Sequence, residues 1–340
     1  MKLSSRKIHP AIRIVATASF AILCAFICYF SFTAFFLNPW LENNQRELTV
    51  LNFYSHKNTS AVPEIFFIGT SQMKEGLDCY LIEEDVRAAN SSVRCYNLAV
   101  NADTPLRRLT ELDAIIKARP EIVVIGTDIR NMYSGEKIEE SRLILVANKI
   151  HLDAPSTELF DAEQLGLLHL NPLEKDIANR VYIVSYLNYL TINKLAPNSV
   201  ADYEYRNNFK NPYKNVENAS IEEKTARADS YDPVNDTVFS KNYGDSVNKL
   251  ALKHIIQELQ KNNITVIIIE MPGDPLAMQK ISATTKNNYL TFLNTTGVTF
   301  YNFEDRYPST YFHDLSHMNV QGRTSFSHDM AQIIIRDVEH

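Results

Sequence analysis

The sequence has no run of basic residues beyond its first thirteen positions. Lysine and arginine total 34 against 40 aspartates and glutamates, a net charge of −6. That balance excludes nucleic acid as the main partner. Internal repeats and low-complexity tracts are also missing, so a repeat array is excluded. Cysteine is scarce: of four, Cys24 and Cys28 fall in an apolar stretch, leaving Cys79 and Cys95 as the pair an oxidising compartment could join. Their positions near opposite ends of one strand–helix unit speak against that bridge. Charge is missing altogether from Ile14 to Leu37.

Those residues, "IVATASFAILCAFICYFSFTAFFL", span about 36 Å as a helix, enough to cross a bilayer. Lys2, Arg6, Lys7 and Arg13 precede them with no acid, and the first acid afterwards is Glu42. The positive-inside bias therefore puts residues 1–13 in the cytoplasm and the remainder outside, with Trp40 at the outer interface. No small-x-small site closes the run, and Leu23 and Ile27 before the two cysteines do not suit lipoprotein cleavage, so an uncleaved anchor is expected. The expected organisation is a cytoplasmic tail (1–13), a transmembrane anchor (14–37), a polar stalk (38–62) and an extracytoplasmic domain (63–340).

Within that domain an α/β rhythm begins. "EIFFIGTS" (64–71) reads as a buried parallel strand, and "SVRCYNLAV" (92–100), "EIVVIGTD" (121–128), "NITVIIIEMP" (263–272) and "GVTFYNF" (297–303) read as further strands. Helices are expected between them. "TPLRRLTELDAIIKARP" carries Leu106, Leu109, Leu112, Ile115 and Ile116 on one face, and residues 276–294 read as a single helix. A last helix carries Phe326, Met330, Ile333 and Ile334. Strands alternating with helices predict a three-layer α/β domain on a parallel sheet. The rhythm lapses at about 151–243, which reads as an insertion, a lid or an acceptor platform. Its one convincing helical stretch is "LEKDIANRVYIVSYLNYLTINKL".

In such sheets ligands bind beyond the carboxyl ends of the strands. "GTSQ", "NLAVNADTP" and "GTDIRN" follow the first three strands, and "YFHDLSHMNVQGRTSFSHDM" follows the last. Serine becomes a nucleophile when a base takes its proton and a third group fixes the tautomer of that base. Ser71 at a strand-to-helix turn, His317 as base and Asp314 three residues before it supply the three parts. His313 and His317 with Asp314 also permit a metal reading, for which no third ligand at suitable spacing is evident.

These blocks resemble the SGNH/GDSL hydrolases, in the branch of membrane-tethered envelope acyltransferases that includes the teichoic-acid D-alanyl-transfer protein and alginate O-acetyltransferases. The resemblance covers residues 64–131 and 263–338. "DLSHMNVQGRTSFS" is similar to the closing Asp-x-x-His block, and "FFIGTSQ" to the first block, with Thr70 where the fuller motif has an acid. "YNLAVNADTP" resembles a second block in which glycines stand at the positions of Ala99 and Ala102.

The resemblance implies a flavodoxin-like SGNH fold, with Ser71 as nucleophile and an oxyanion hole from the Ser71 and Ala102 amides. The third block offers Asp128 or Asn131, of which Asn131 is the better donor because a carboxylate repels an oxyanion. It further implies acyl transfer to or from an envelope glycan without cofactor or metal. The acyl donor would be delivered by a multi-pass membrane acyltransferase. The same triad also fits a surface carbohydrate esterase, and the altered second and third blocks fit an inactive envelope scaffold.

Overall fold

A computed structural model of the chain describes residues 10–57, 60–132, 137–195, 208–213, 215–230, 239 and 245–338. Five strands, β1 (Glu64–Ile68), β2 (Arg94–Asn97), β3 (Ile122–Thr127), β4 (Thr265–Glu270) and β5 (Thr299–Asn302), form one parallel sheet in the order β2-β1-β3-β4-β5. This is the flavodoxin-like order, which reverses direction between β1 and β3 and opens a crevice there.

Helices α1 (Pro10–Phe32), α2 (Asn38–Asn44) and α3 (Arg46–Ser55) precede the sheet. Next, α4 (Ser71–Gly76) and α5 (Cys79–Ala88) join β1 to β2, and α6 (Pro105–Ala118) joins β2 to β3. Between β3 and β4 lie α7 (Glu140–Val146), α8 (Ala154–Thr157), α9 (Ala162–Leu168), α10 (Pro172–Ala178), α11 (Ile183–Leu195), α12 (Ile221–Ser230) and α13 (Val247–Lys261). The chain finishes with α14 (Pro275–Met278), α15 (Ala283–Asn294) and, after β5, α16 (Val320–Val338).

The central strands β1, β3 and β4 are apolar on both sides because both faces are covered there. Phe66, Ile68, Val123, Ile125, Val266 and Ile268 share one core with residues of α3, α6 and α13. Their neighbours Ile65, Phe67, Val124, Ile267 and Ile269 share the other with residues of α5 and α16. All five expected strands are present. The single helix expected over 276–294 is two, because Ser282 starts a new one by accepting a hydrogen bond from the Thr285 amide at 3.2 Å.

The stalk expected at 38–62 is the main correction. A helix runs without a break from Ile12 to Asn44, long and apolar enough to cross a membrane. It includes a π-turn at Thr33–Leu37. The chain then turns into α3, whose Leu48, Val50, Leu51 and Tyr54 are buried in the main core. Each buried aliphatic side chain contributes about 1.5–3 kcal/mol, so this segment belongs to the domain. Its polar residues misled because they bond inward. Arg46 donates to the carbonyls of Asn97 (2.5 Å) and Ala99 (3.3 Å), and Glu47 accepts from Arg107 at 2.7 Å.

Cys79 and Cys95 are free, buried thiols. Burial raises the pKa of both. In the insertion, the described residues 208–213 and 215–219 run back over the carboxyl end of the sheet. The Cys79 amide donates to the Lys210 carbonyl (2.8 Å), Asn97 to Phe209 (2.6 Å) and Ala219 to His313 (2.8 Å).

Candidate active site

Ser71 is the first residue of α4, immediately after the carboxyl end of β1 and at the switch point of the sheet. Thr70 caps the helix, its hydroxyl accepting from the Gln72 amide at 3.3 Å. The turn is possible because β1 and β3 end alike, in Ile-Gly-Thr. A Cβ at Gly69 would lie 2.8 Å from the Gly126 carbonyl oxygen. At the first position of a helix a backbone N–H has no intrahelical partner, so the Ser71 amide is available to an oxyanion.

The base comes from the loop between β5 and α16. An antiparallel bridge between Phe312 and Met318 closes this loop, and the His313 amide donates to the His317 carbonyl at 3.0 Å. Asn319 then caps α16. Its side chain accepts from the Gly322 amide (3.0 Å) and donates to the Thr310 carbonyl (2.8 Å). Gly322 has to be glycine, since a Cβ there would sit 2.2 Å from the Tyr311 carbonyl oxygen. The Asn-x-x-Gly spacing after the histidine is thus the lock of the catalytic loop.

Inside the loop, Asp314 Oδ1 accepts from the Ser316 and His317 amides, each at 2.7 Å. That leaves Oδ2 for His317 Nδ1 at 2.8 Å, and His317 Nε2 lies 2.8 Å from Ser71 Oγ. With its Nδ1 proton on Asp314, the imidazole turns a lone pair toward the serine hydroxyl, which donates to it.

Burial works against the charged form of His317. The hydrogen bond that His317 donates to Asp314 and the charges of Glu75 and Asp314 outweigh it, so the pKa is raised above 6.5. For Asp314, burial favours the neutral acid, but the His317 hydrogen bond and charge and the two amides hold the carboxyl below its usual range. Both shifts describe a base poised to take a proton.

The expected third-block donors fare differently. Asp128 is buried against Arg130 and caps its turn, accepting from the Arg130 amide at 2.6 Å and from Nε at 2.8 and 2.9 Å. Its charge is spent there and does not face an oxyanion. Arg130 reaches the catalytic loop, donating to the Leu315 carbonyl and Ser316 Oγ, each at 3.3 Å. Sequence reasoning missed this strut, although "DIR" after a strand end is where such a pair forms. Asn131 ends the same turn, Ile129–Asn131, and its side chain lies outside the described residues.

In the second block, the Leu98 and Val100 amides bond to the Phe67 and Gly69 carbonyls at 2.8 and 2.9 Å. Beyond Val100 the loop meets α4 through Lys74 Nζ, which donates to Asn101 Oδ1 at 3.2 Å. Ala102 takes a φ of +47°, the left-handed conformation that a glycine would enter freely. Its carbonyl accepts from Arg107 (3.3 Å) and Arg142 (3.1 Å), which offset the strain.

Glu75 supplies the third ligating group that the metal reading lacked. It lies 3.2 Å from His313 Nε2 and groups with His313 and His317. However, both ring nitrogens of His317 are already engaged, one by Ser71 and one by Asp314. A metal would have to displace the serine, so the serine relay is the better account. Gly69 and Thr70, the two residues before Ser71, line a small pocket together with Asp103, Asp128, Met132 and Ile255 among others.

A protein-family model matches residues 183–339, which hold Asp314 and His317 but begin after Ser71. No curated protein matches. Among solved structures, a GDSL-like lipase from Bacteroides thetaiotaomicron is similar at 10% identity and a TM-score of 0.36, over 85% of this chain and 98% of its own. A psychrotrophic esterase from Pseudoalteromonas sp. matches at 11% and 0.36, over 82% and 99%. An acetyl-xylooligosaccharide esterase from Geobacillus matches at 10% and 0.36, over 79% and 93%. These likenesses are remote, and the chemistry of the chain rests on its own Ser71, His317 and Asp314.

Proposed function

We propose that this chain is a membrane-anchored serine acyl-transfer enzyme that works on a cell-envelope glycan. The observation that carries the reading is the continuous relay from Ser71 through His317 to Asp314, both contacts at 2.8 Å, at the switch point of a parallel sheet. Ser71 Oγ attacks the carbonyl carbon of an ester or thioester while its proton passes to His317 Nε2. The oxyanion is held by the Ser71 amide and by the loop at Ala102. Collapse breaks the bond to the leaving group, which takes the proton from Nε2, and an acyl-Ser71 remains. A glycan hydroxyl then repeats the sequence in reverse, with His317 accepting its proton.

The basic flank before α1 supports a cytoplasmic N-terminus and an extracytoplasmic domain. A domain held at the bilayer favours a membrane-delivered donor, hence transfer over release to water. A multi-pass membrane acyltransferase is the partner this implies. The intact relay speaks against an inactive scaffold.

A fluorophosphonate tests the nucleophile, and labelling should be lost in Ser71→Ala and His317→Ala. Base-released esters on the envelope polymer test the direction. A transferase predicts fewer in Ser71→Ala cells and an esterase predicts more. Labelling that persists in Ser71→Ala would overturn the nucleophile, and unchanged ester content would favour the scaffold.

A further inference from the structure

We infer that α10 and α11, in the insertion, form a second membrane element that lies in the outer leaflet beside α1. The inference rests on α1 crossing a bilayer, the reading proposed above.

From Pro172 to Leu195 the chain is almost continuously helical, with a 3₁₀ turn at Asn179–Tyr182 between α10 and α11. Leu173, Ile177, Val181, Val184, Leu187 and Leu190 are all exposed, and they recur at intervals of three and four. That is the spacing of one helical face. A water-soluble surface rarely carries so long an apolar stripe, and such a stripe marks an interaction site.

The contacts on the other side of this helix fix its depth. Tyr29 Oη, in α1, donates to the Asp176 carbonyl at 2.7 Å. Asn38 donates to Asp176 Oδ1 and accepts from Asn179, each at 3.0 Å. Tyr186 packs edge-on against Phe32 (5.6 Å) and Trp40 (5.5 Å). The helix is therefore fastened to the stretch from Tyr29 to Trp40, where α1 leaves the bilayer. Tyr29 lies fifteen residues after Ile14, the first of the uncharged run. At about 1.5 Å per residue that is about 22 Å into a hydrocarbon layer about 30 Å thick, so Tyr29 sits about 8 Å inside the outer boundary. By the same count Asn38 falls about 6 Å beyond it, so Asp176, bonded to both, lies at the boundary, the level at which interfacial helices ride.

Lipid is the occupant because the stripe continues a surface that already faces it. Phe35 and Phe36 of the same α1 stretch are exposed too, at 75% and 57%. Of the charges on this segment, Glu174 is exposed at the start of α10, its carboxylate accepting from the Asn171 amide at 2.9 Å. Lys175 is turned inward to the Leu145 and Ala147 carbonyls at 3.2 and 2.6 Å, and Asp176 is engaged by Asn38. Arg180 is exposed at the turn between the helices, within reach of lipid phosphate.

The test uses the full chain with Cys24→Ala and Cys28→Ala, reconstituted in phosphatidylethanolamine–phosphatidylglycerol vesicles. An environment-sensitive fluorophore is placed at Leu187→Cys, and in a second protein at Gln332→Cys, on α16 across the sheet from α3. A nitroxide lipid in the outer leaflet should quench the label at 187 at least threefold more strongly than the label at 332. Resistance of the protein to alkaline extraction reports separately on α1, so loss of the anchor cannot pass for loss of this contact. Equal, water-like emission at both sites in extraction-resistant protein would overturn the inference. So would a label at 187 that is wet in pure lipid and becomes shielded only in native membranes, since that result assigns the face to a protein.

Discussion

The lock at Gly322 gives the sharpest test of how the catalytic loop is built. In Gly322→Ala the new Cβ would stand 2.2 Å from the Tyr311 carbonyl oxygen, where ordinary contact begins at 3.4 Å. The difference, 3.4 − 2.2 = 1.2 Å, must be absorbed by backbone, because the nearest atoms include the Tyr311 carbonyl itself. That carbonyl accepts from the Asn319 amide at 2.9 Å, so its retreat opens the loop that ends with Asn319 and contains Asp314 and His317. A displacement of about 1 Å at reacting groups costs on the order of 100-fold in rate. Overpacking of this kind costs about 1–3 kcal/mol of stability. The assay compares kcat/KM for a p-nitrophenyl ester and the urea midpoint of the detergent-solubilised protein with and without the substitution. Activity should fall far more than the loss of folded protein explains. Full activity in a folded Gly322→Ala protein would refute the argument that this contact sets the histidine.

The rate should have an acidic limb, because only neutral His317 accepts the serine proton. Its pKa is raised, so activity is complete above that value and lost as pH falls through it, at a point above 6.5. Glu75→Gln removes one of the charges that raise it, so the limb should move to lower pH in a rate profile. Asp314→Asn should leave the protein folded but lower kcat by roughly 10⁴-fold, the effect of a lost orienting carboxylate in such triads. Lys224→Met should lower stability by about 3–5 kcal/mol in urea unfolding. Lys224 and Asp274 form a buried pair at 3.1 Å, and the same ammonium holds the Ser309 (2.6 Å) and Phe312 (2.7 Å) carbonyls at the root of the catalytic loop.

The strands were legible because each is a short apolar run, and the triad because Ser71, Asp314 and His317 stand at strand ends in the required order. Two kinds of residue were not legible. Polar side chains that bond inward look like surface in a sequence, which is how Arg46 and Glu47 made a packed helix read as a stalk. In α3, Leu48, Leu51 and Tyr54 recur every third residue, a helical signal hidden among those charges. Partners far apart in the chain leave no local trace either. Arg130 meets Leu315, and Lys224 meets Phe312, only because the sheet brings their loops together. The insertion lost its rhythm for a related reason, since α11 turns apolar residues both inward, at Ile183 and Tyr186, and outward, at Val184 and Leu187.

The α3 helix also bears on whether the domain could survive separation from the apolar helix that precedes it. Arg46 grips the carbonyls of Asn97 and Ala99, and Glu47 holds Arg107, which in turn holds Asn101 and Ala102. A protease cutting between the span and β1 would therefore do more than release a soluble domain. It would withdraw a core helix and the support of the loop beside Ser71. A shed fragment would be a damaged one, so on the proposed reading activity would depend on the chain keeping its N-terminal helices joined to the domain.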